Sequence, residues 1–352
     1  MRAARLHDTR DLRVDDVDDP SPGPWEVRVD VAACGICGSD LHEYVGPAFA
    51  PAGRAHPLTG EQLPLTMGHE FAGTVGAVGD EVASLAVGDE VTVNPVLWCG
   101  DCRYCEAGDY HLCRIGGFLG LHADGGFADS VVVDAEQVVP LEGISLREGA
   151  LVEPLTVGLH AVRRSALRAG DTAAVFGAGP IGLAVVQAAV AAGAREVVVS
   201  EPREVRRERA LASGASDVVD PRADDPVERV REATDGGADV AFEVAGVEAT
   251  VEGAIRATKH GGDVTVVSLF EEAVAVQVNP LVFTERTLTG SAAYRGGPQS
   301  GREFGATIEM LADGRFDPDP LVTSRLPLEA VADGFEALLD ENSDEVKVLV
   351  ES

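Results

Sequence analysis

Three short segments carry residue types that can hold a metal and move a proton: Cys34-Gly-Ile-Cys37-Gly-Ser39-Asp40-Leu-His42, Gly68-His69-Glu70 and Val152-Glu153-Pro154. Cys37, His69 and Glu153 offer one sulfur, one nitrogen and one oxygen donor. A mixed set of this kind suits a catalytic zinc, which takes three protein ligands and keeps one position open. Ser39 and His42 follow Cys37 at offsets of two and five residues. A hydroxyl and an imidazole so placed can carry a substrate proton from the metal toward water. Read alone, the Cys34–Cys37 pair is equally half of a structural metal knuckle, or a buried thiol beside a core histidine.

A second cluster, Cys99, Cys102, Cys105 and Cys113, has spacings of three, three and eight residues. Four thiolates in this arrangement can wrap a tetrahedral zinc with no open position, a purely structural site. An iron–sulfur run begins in the same way but continues with its fourth cysteine sooner and a proline after it, which this chain lacks. All six cysteines lie between positions 34 and 113, a clustering that metal ligation explains better than disulfides.

The third motif is Gly177-Ala-Gly179-Pro180-Ile181-Gly182. It follows the apolar stretch 172–176, opens the helical pattern 183–192, and has Glu201 at the end of the next apolar run, 196–200. In that context its glycines let the backbone approach a pyrophosphate at a helix N-terminus, and the acid accepts hydrogen bonds from the adenosine ribose. Arg206, five residues further on, falls near the same ribose.

The elements that must position these groups divide at about Glu153. Before it, short alternating strands such as Glu26-Val-Arg-Val-Asp-Val are separated by Pro/Gly turns, the pattern of a β-rich, barrel-like lobe. A Pro/Gly-rich loop, 46–61, separates two of the ligand segments, and loops so placed shape substrate pockets. After Glu153 a helix is expected over 161–169, followed by repeated βα units to about residue 290, which imply a doubly wound parallel sheet. Helical stretches at 304–313 and 328–340 and a last strand at 346–350 then return to the first lobe. The expected domains are 1–155 (catalytic, zinc-binding), 156–292 (dinucleotide-binding) and 293–352 (return to the catalytic domain), an α/β protein overall.

The bulk composition, 45% hydrophobic and 25% charged over 352 residues, is that of a water-soluble globular chain, and no apolar run reaches the roughly 20 residues of a membrane span. Residues 1–16 lack the apolar core of a signal peptide, so a cytoplasmic location is expected. The formal charge of -31 argues against nucleic acids and anionic membranes as partners. Only Lys259 and Lys347 are lysines, and the acids are spread along the chain and not gathered in a tail. Adaptation to a high-salt cytoplasm explains this balance, as does a merely acidic enzyme.

Cys37, Gly68-His69-Glu70, the four-cysteine loop, Glu153 and the glycine motif, in this order and spacing, resemble the zinc-dependent medium-chain alcohol and polyol dehydrogenases. The nearer likeness is to their 2,3-butanediol branch, carried by the Cys34–His42 segment, by His56-Pro-Leu-Thr59-Gly-Glu61 and by Phe242-Glu243-Val-Ala-Gly246. The resemblance implies a GroES-like catalytic domain, a Rossmann coenzyme domain, two zinc ions (one catalytic, one structural) and NAD. It further implies hydride transfer between NAD(H) and a secondary alcohol or ketone, with 2,3-butanediol and acetoin as substrates. The alternatives are a sorbitol, threonine or sugar dehydrogenase of the same family, or a non-catalytic dinucleotide-binding relative. Residue by residue, it implies Cys37, His69 and Glu153 as catalytic zinc ligands, with Glu70 either a direct ligand or a neighbour of the metal. It makes Ser39 and His42 the proton relay, Cys34 a packed thiol, Cys99, Cys102, Cys105 and Cys113 the structural zinc site, and Lys347 a partner of the cofactor pyrophosphate. A homo-oligomer, dimer or tetramer, is expected, and His56, Thr59 or Glu61 is expected to bond a second substrate oxygen.

Overall fold

The alternating stretch near the N-terminus forms the strand Glu26–Gly35, in which Val27, Val29 and Val31 are buried while Arg28 and Asp30 turn outward. Period-two alternation buries one face of a strand and solvates the other. The computed structural model describes residues 1–47, 49–50, 53–340 and 342–352. Its chain divides into two units: Met1–Glu153 with Arg295–Ala312 and Val322–Ser352, and Pro154–Tyr294 with Asp313–Leu321.

In the first unit the strands Val138–Pro140, Glu90–Val93, Glu70–Val78, Glu26–Gly35, Lys347–Glu351 and Val322–Pro327 lie side by side in that order, and Ser130–Asp134 also pairs with Glu26–Gly35. The core beneath them gathers Val27, Val29, Phe71, Val91, Phe127 and Phe335. The C-terminal strand is set directly against the metal segment: Gly35 pairs with Glu70 on one side and with Leu349 on the other. After Gly35 the chain turns into the short helix Gly38–Val45.

The second unit holds a six-stranded parallel sheet in the order Asp217–Val219, Glu196–Ser200, Thr172–Phe176, Ala238–Glu243, Thr258–Val266, Thr287–Gly290. Every residue of Thr172–Phe176 is buried, as expected of a central parallel strand covered on both faces. Helix Pro180–Ala191 is apolar nearly all round and buries Gly182 through Ala189. At Gly158 a Cβ would come within 2.5 Å of the Ala184 backbone, so glycine there permits two helices to touch.

Two expectations are corrected. The helix placed at 161–169 runs instead over Val152–Arg164. Pro154 falls in its first turn, where a missing N–H costs little, so the helix starts upstream and carries Glu153 on its first turn. Asp313–Leu321 groups with the second unit, whereas the sequence assigned everything after 293 to the first. The Gln187 side chain explains this, donating to the Asp317 carbonyl at 2.8 Å and accepting from its N–H at 2.7 Å. Among the described residues, no helix is long and apolar enough to cross a membrane.

Candidate active site

Cys37 ends an extended segment and caps the helix Gly38–Val45, so Ser39 stands on that helix's first turn and His42 one turn later on the same face. The donor atoms of Cys37, His69 and Glu70 lie within 4.8 Å of one another. Ser39 Oγ is 3.1 Å from His69 Nε2. Asp40, fully buried, accepts from the Cys37 backbone N–H at 2.9 Å through one oxygen and places the other 3.3 Å from His69 Nδ1. A carboxylate behind a histidine sets which ring nitrogen is free for a metal, here Nε2 on the Ser39 side. Burial alone would lower the His69 pKa, but the charges of Asp40 and Cys37 outweigh it and hold it well above the usual value. Such a pocket is electronegative and suited to a cation.

Asp40 was missed by sequence reasoning, although its signal was present: an acid three residues after the residue that caps a helix. Glu153 is buried and close enough to Lys347 to raise its pKa, but among the described residues it is not one of the group whose donors lie within 4.8 Å. Cys34 is buried, and burial pushes its thiol pKa well up, as a packed and unreactive sulfur requires.

Lys347 is corrected most plainly. Its ammonium is buried, lies 2.6 Å from both oxygens of Glu70 and donates to the Ile36 carbonyl at 2.9 Å. All the donors that would reach a pyrophosphate are therefore turned on the metal segment. Burial acts to lower its pKa, and the charges of Glu70, Cys37 and Glu153 keep it raised. Glu70 reaches this position only because residue 35 is glycine: a Cβ there would come within 2.1 Å of the carboxylate.

The loop 46–61 is anchored at both ends. Ala48, Pro51 and Ala52 of its Pro-rich segment lie outside the described residues. The Phe49 and Ala50 N–H groups donate to the Glu43 carboxylate at 2.8 and 2.7 Å. Thr59 donates to the His122 carbonyl at 2.6 Å, and the His56 and His122 rings are 4.5 Å apart. Burial and the neighbouring His56 lower the His122 pKa to about 4, so that ring is neutral near pH 7. Thr59 and His56 thus face protein groups, and Glu61 is exposed.

At the second cluster the donor atoms of Cys99, Cys102, Cys105 and Cys113 lie within 4.8 Å of one another. The Cys102 and Cys105 sulfurs are 3.6 Å apart and those of Cys99 and Cys105 4.0 Å. A tetrahedral zinc with Zn–S bonds of about 2.3 Å puts sulfurs roughly 3.8 Å apart, so the four residues fit a structural zinc without rearrangement. Backbone N–H groups, that of Arg114 foremost, lower the Cys102 pKa to about 6, whereas the Asp101 side chain raises that of Cys99 to about 12 and burial raises that of Cys105, so without a metal the cluster favours the thiolate at Cys102 and the thiol at those two neighbours.

In the second unit Gly177 and Gly182 close the turn tightly, since a Cβ on Gly182 would come within 2.2 Å of the Gly177 carbonyl oxygen. Gly179 caps the helix Pro180–Ala191, with Ile181 in its first turn, and a Cβ there would meet only the Arg206 guanidinium, at 3.9 Å. The backbone is therefore open above a helix N-terminus, which fits a pyrophosphate. Glu201 accepts from the Ala178 N–H at 2.8 Å and from the Arg203 N–H at 2.9 Å, one bond to each oxygen. Each oxygen keeps a lone pair for a ribose hydroxyl.

Residues 23–143 match the alcohol dehydrogenase GroES-like domain, and residues 180–313 match the zinc-binding dehydrogenase model. The (R,R)-butanediol dehydrogenase of Bacillus subtilis (strain 168) is 44% identical over 99% of each chain. The crystal structure of 2R,3R-butanediol dehydrogenase from Bacillus subtilis matches with a TM-score of 0.92 at 43% identity, covering 100% of this chain and 99% of that one. A zinc-binding dehydrogenase from Sinorhizobium meliloti 1021, bound to NADP, matches with a TM-score of 0.90 at 34% identity, over 100% of this chain and 99% of that one.

Proposed function

Because the chain belongs to the zinc-binding, medium-chain alcohol dehydrogenase family, we propose that it interconverts 2,3-butanediol and acetoin with NAD as the hydride carrier. The observation that carries this reading is the 44% identity to a butanediol dehydrogenase over 99% of both chains. When bound, a zinc ion would supply Lewis acidity at the substrate oxygen, and NAD would supply the hydride acceptor. Cys37 and His69 would hold the metal, with Asp40 orienting His69. The family likeness implies Glu153 as the oxygen ligand; Glu70, whose carboxylate lies with the Cys37 and His69 donors, is paired with the Lys347 ammonium 2.6 Å away and would have to be released from it to ligate the metal instead. The Ser39 hydroxyl, beside His69 Nε2, takes the substrate proton, and His42 passes it outward. Glu201 would hold the adenosine ribose, and its charge would disfavour a 2′-phosphate; Arg206 lies by Gly179.

The test is NADH formation across a substrate panel. 2,3-Butanediol should exceed 2-butanol in kcat/KM by about 100-fold or more, since a site that bonds two oxygens leaves polar groups unpaired when one is missing. It should also exceed sorbitol, threonine and glucose, and NAD should exceed NADP. Best turnover on sorbitol, threonine or glucose would refute the diol assignment, and an NADP preference would refute the role of Glu201.

The acidic pairs Asp18-Asp19, Asp224-Asp225 and Glu271-Glu272 are all exposed, which supports adaptation to high salt. Screening shortens from about 10 Å at 0.1 M to about 3 Å at 1 M, so the melting temperature should rise by several degrees into molar KCl. An unchanged melting point would remove the halophilic reading alone. We also propose a cytoplasmic location, which cell fractionation would check.

A homo-oligomer is supported in the second unit. Helix Val278–Thr284 buries none of its residues, Val282 and Phe283 are 65% and 81% exposed, and the neighbouring Thr287–Gly290 is an edge strand. An open strand edge beside exposed apolar side chains is satisfied by pairing with a second copy. Light scattering should give a dimer or larger, and Phe283→Asp should reduce the mass toward the monomer. An unchanged mass would place the interface elsewhere.

A further inference from the structure

At the C-terminal edge of the parallel sheet, Glu243 is a fully buried carboxylate that the chemistry described above does not use. It ends the strand Ala238–Glu243, which lies next to Thr172–Phe176, and it sits opposite Phe176, the residue before the glycine motif. One of its oxygens accepts from the Ala245 N–H at 2.9 Å and the Gly246 N–H at 2.8 Å, with the Thr250 hydroxyl at 2.7 Å. The other accepts from the Ser268 hydroxyl, which follows the next strand. Neutral side chains carry fewer acceptor sites, and a carboxylate is the acceptor-only group that serves this many donors.

The two turns held in this way frame the glycine motif. A Cβ on Gly177 would come within 3.0 Å of the Ala245 Cβ, and one on Gly182 within 3.2 Å of Val244 Cγ2. Gly246, at φ +77°, would bring a Cβ within 2.6 Å of the Leu269 carbonyl oxygen, so the turns at 244–246 and 268–269 are in contact as well. The carboxylate is hidden, while Ala245 and Leu269 are exposed. In a dinucleotide site the adenosine belongs to the strand whose end carries the ribose-binding acid, here Glu196–Ser200 followed by Glu201. The other half of the dinucleotide then falls on the opposite side of Thr172–Phe176, over the turns that Glu243 holds.

We propose that Glu243 is the positioning residue for the nicotinamide half of the cofactor site, acting by fixing the 244–246 turn and the Ser268 hydroxyl in register with the glycine motif. It rests on the NAD-dependent reading above. The test uses binding alone, with full-length zinc-loaded protein: NADH by fluorescence titration and ADP-ribose, which lacks nicotinamide, by calorimetry. Glu243→Ala should raise the NADH Kd about tenfold or more and leave the ADP-ribose Kd within about twofold. Glu243→Gln should restore NADH binding to within about threefold of the wild type, since its carbonyl keeps the two amide bonds and its NH2 faces a hydroxyl that can accept. Ser268→Ala, which removes one bond only, should weaken NADH about threefold and covers the case in which Glu243→Ala does not fold. Equal weakening of both ligands would reduce Glu243 to a structural cap and overturn the proposal, as would unchanged NADH binding. Diol turnover is not read, so a wrong substrate assignment leaves the result intact; wild-type protein that binds no NADH would overturn both readings.

Discussion

Cys37→Ser should lower kcat/KM for 2,3-butanediol by about a thousandfold or more while the protein remains folded. A serine hydroxyl stays protonated at neutral pH and does not replace a thiolate ligand, so the cation bound beside His69 is weakened or lost. Lewis-acid stabilisation is worth several kcal/mol, and about 4 kcal/mol corresponds to roughly a thousandfold in rate. Elemental analysis of protein purified without chelator should fall from about two zinc per chain to about one. Cys102→Ser should behave differently, lowering the melting temperature first, because its four-sulfur site pins a loop and keeps no open position. Near-full activity in Cys37→Ser would show that the catalytic site lies elsewhere.

The second large effect concerns Lys347, whose ammonium is buried between Glu70 and the Ile36 carbonyl. Lys347→Met keeps the length of the side chain and removes its charge, leaving Glu70 as a buried carboxylate close to Cys37. Breaking a buried pair by deleting one partner costs about 3–5 kcal/mol, because the remaining charge is uncompensated. Denaturant titration should show that loss. Glu70→Gln added to Lys347→Met should recover a substantial part of it, since the double variant buries no charge. Such a recovery separates loss of the ion pair from loss of packing. A single variant within about 0.5 kcal/mol of the wild type would mean that the pair is not coupled to folding. If Glu70 became free to ligate in Lys347→Met, zinc affinity would also change, which a chelator competition would detect.

Much of this site was legible in the chain itself. The thiolates of Cys99, Cys102, Cys105 and Cys113 announce a closed tetrahedral site because all four fall within one short loop, and the fold brings their sulfurs together as the spacing requires. The glycine motif was equally readable, since strand, turn, helix and the following acid are local features whose geometry depends on neighbours in sequence. Cys37, His69 and the acids were recognisable as donor types, and the family likeness ordered them. Only the tertiary structure decided which distant group answers which. Lys347 meets Glu70 across 277 residues because strand register puts Gly35 between Glu70 and Leu349. Composition says that a lysine is rare here and says nothing about which carboxylate it faces. Thr59 was drawn onto the His122 carbonyl, and Glu43 onto the loop at Phe49 and Ala50, for the same reason. A hydrogen bond is short and directional, so its partner is chosen by the packing of whole elements, whereas the kinds of group that can bind a metal or a phosphate are written in the residues themselves.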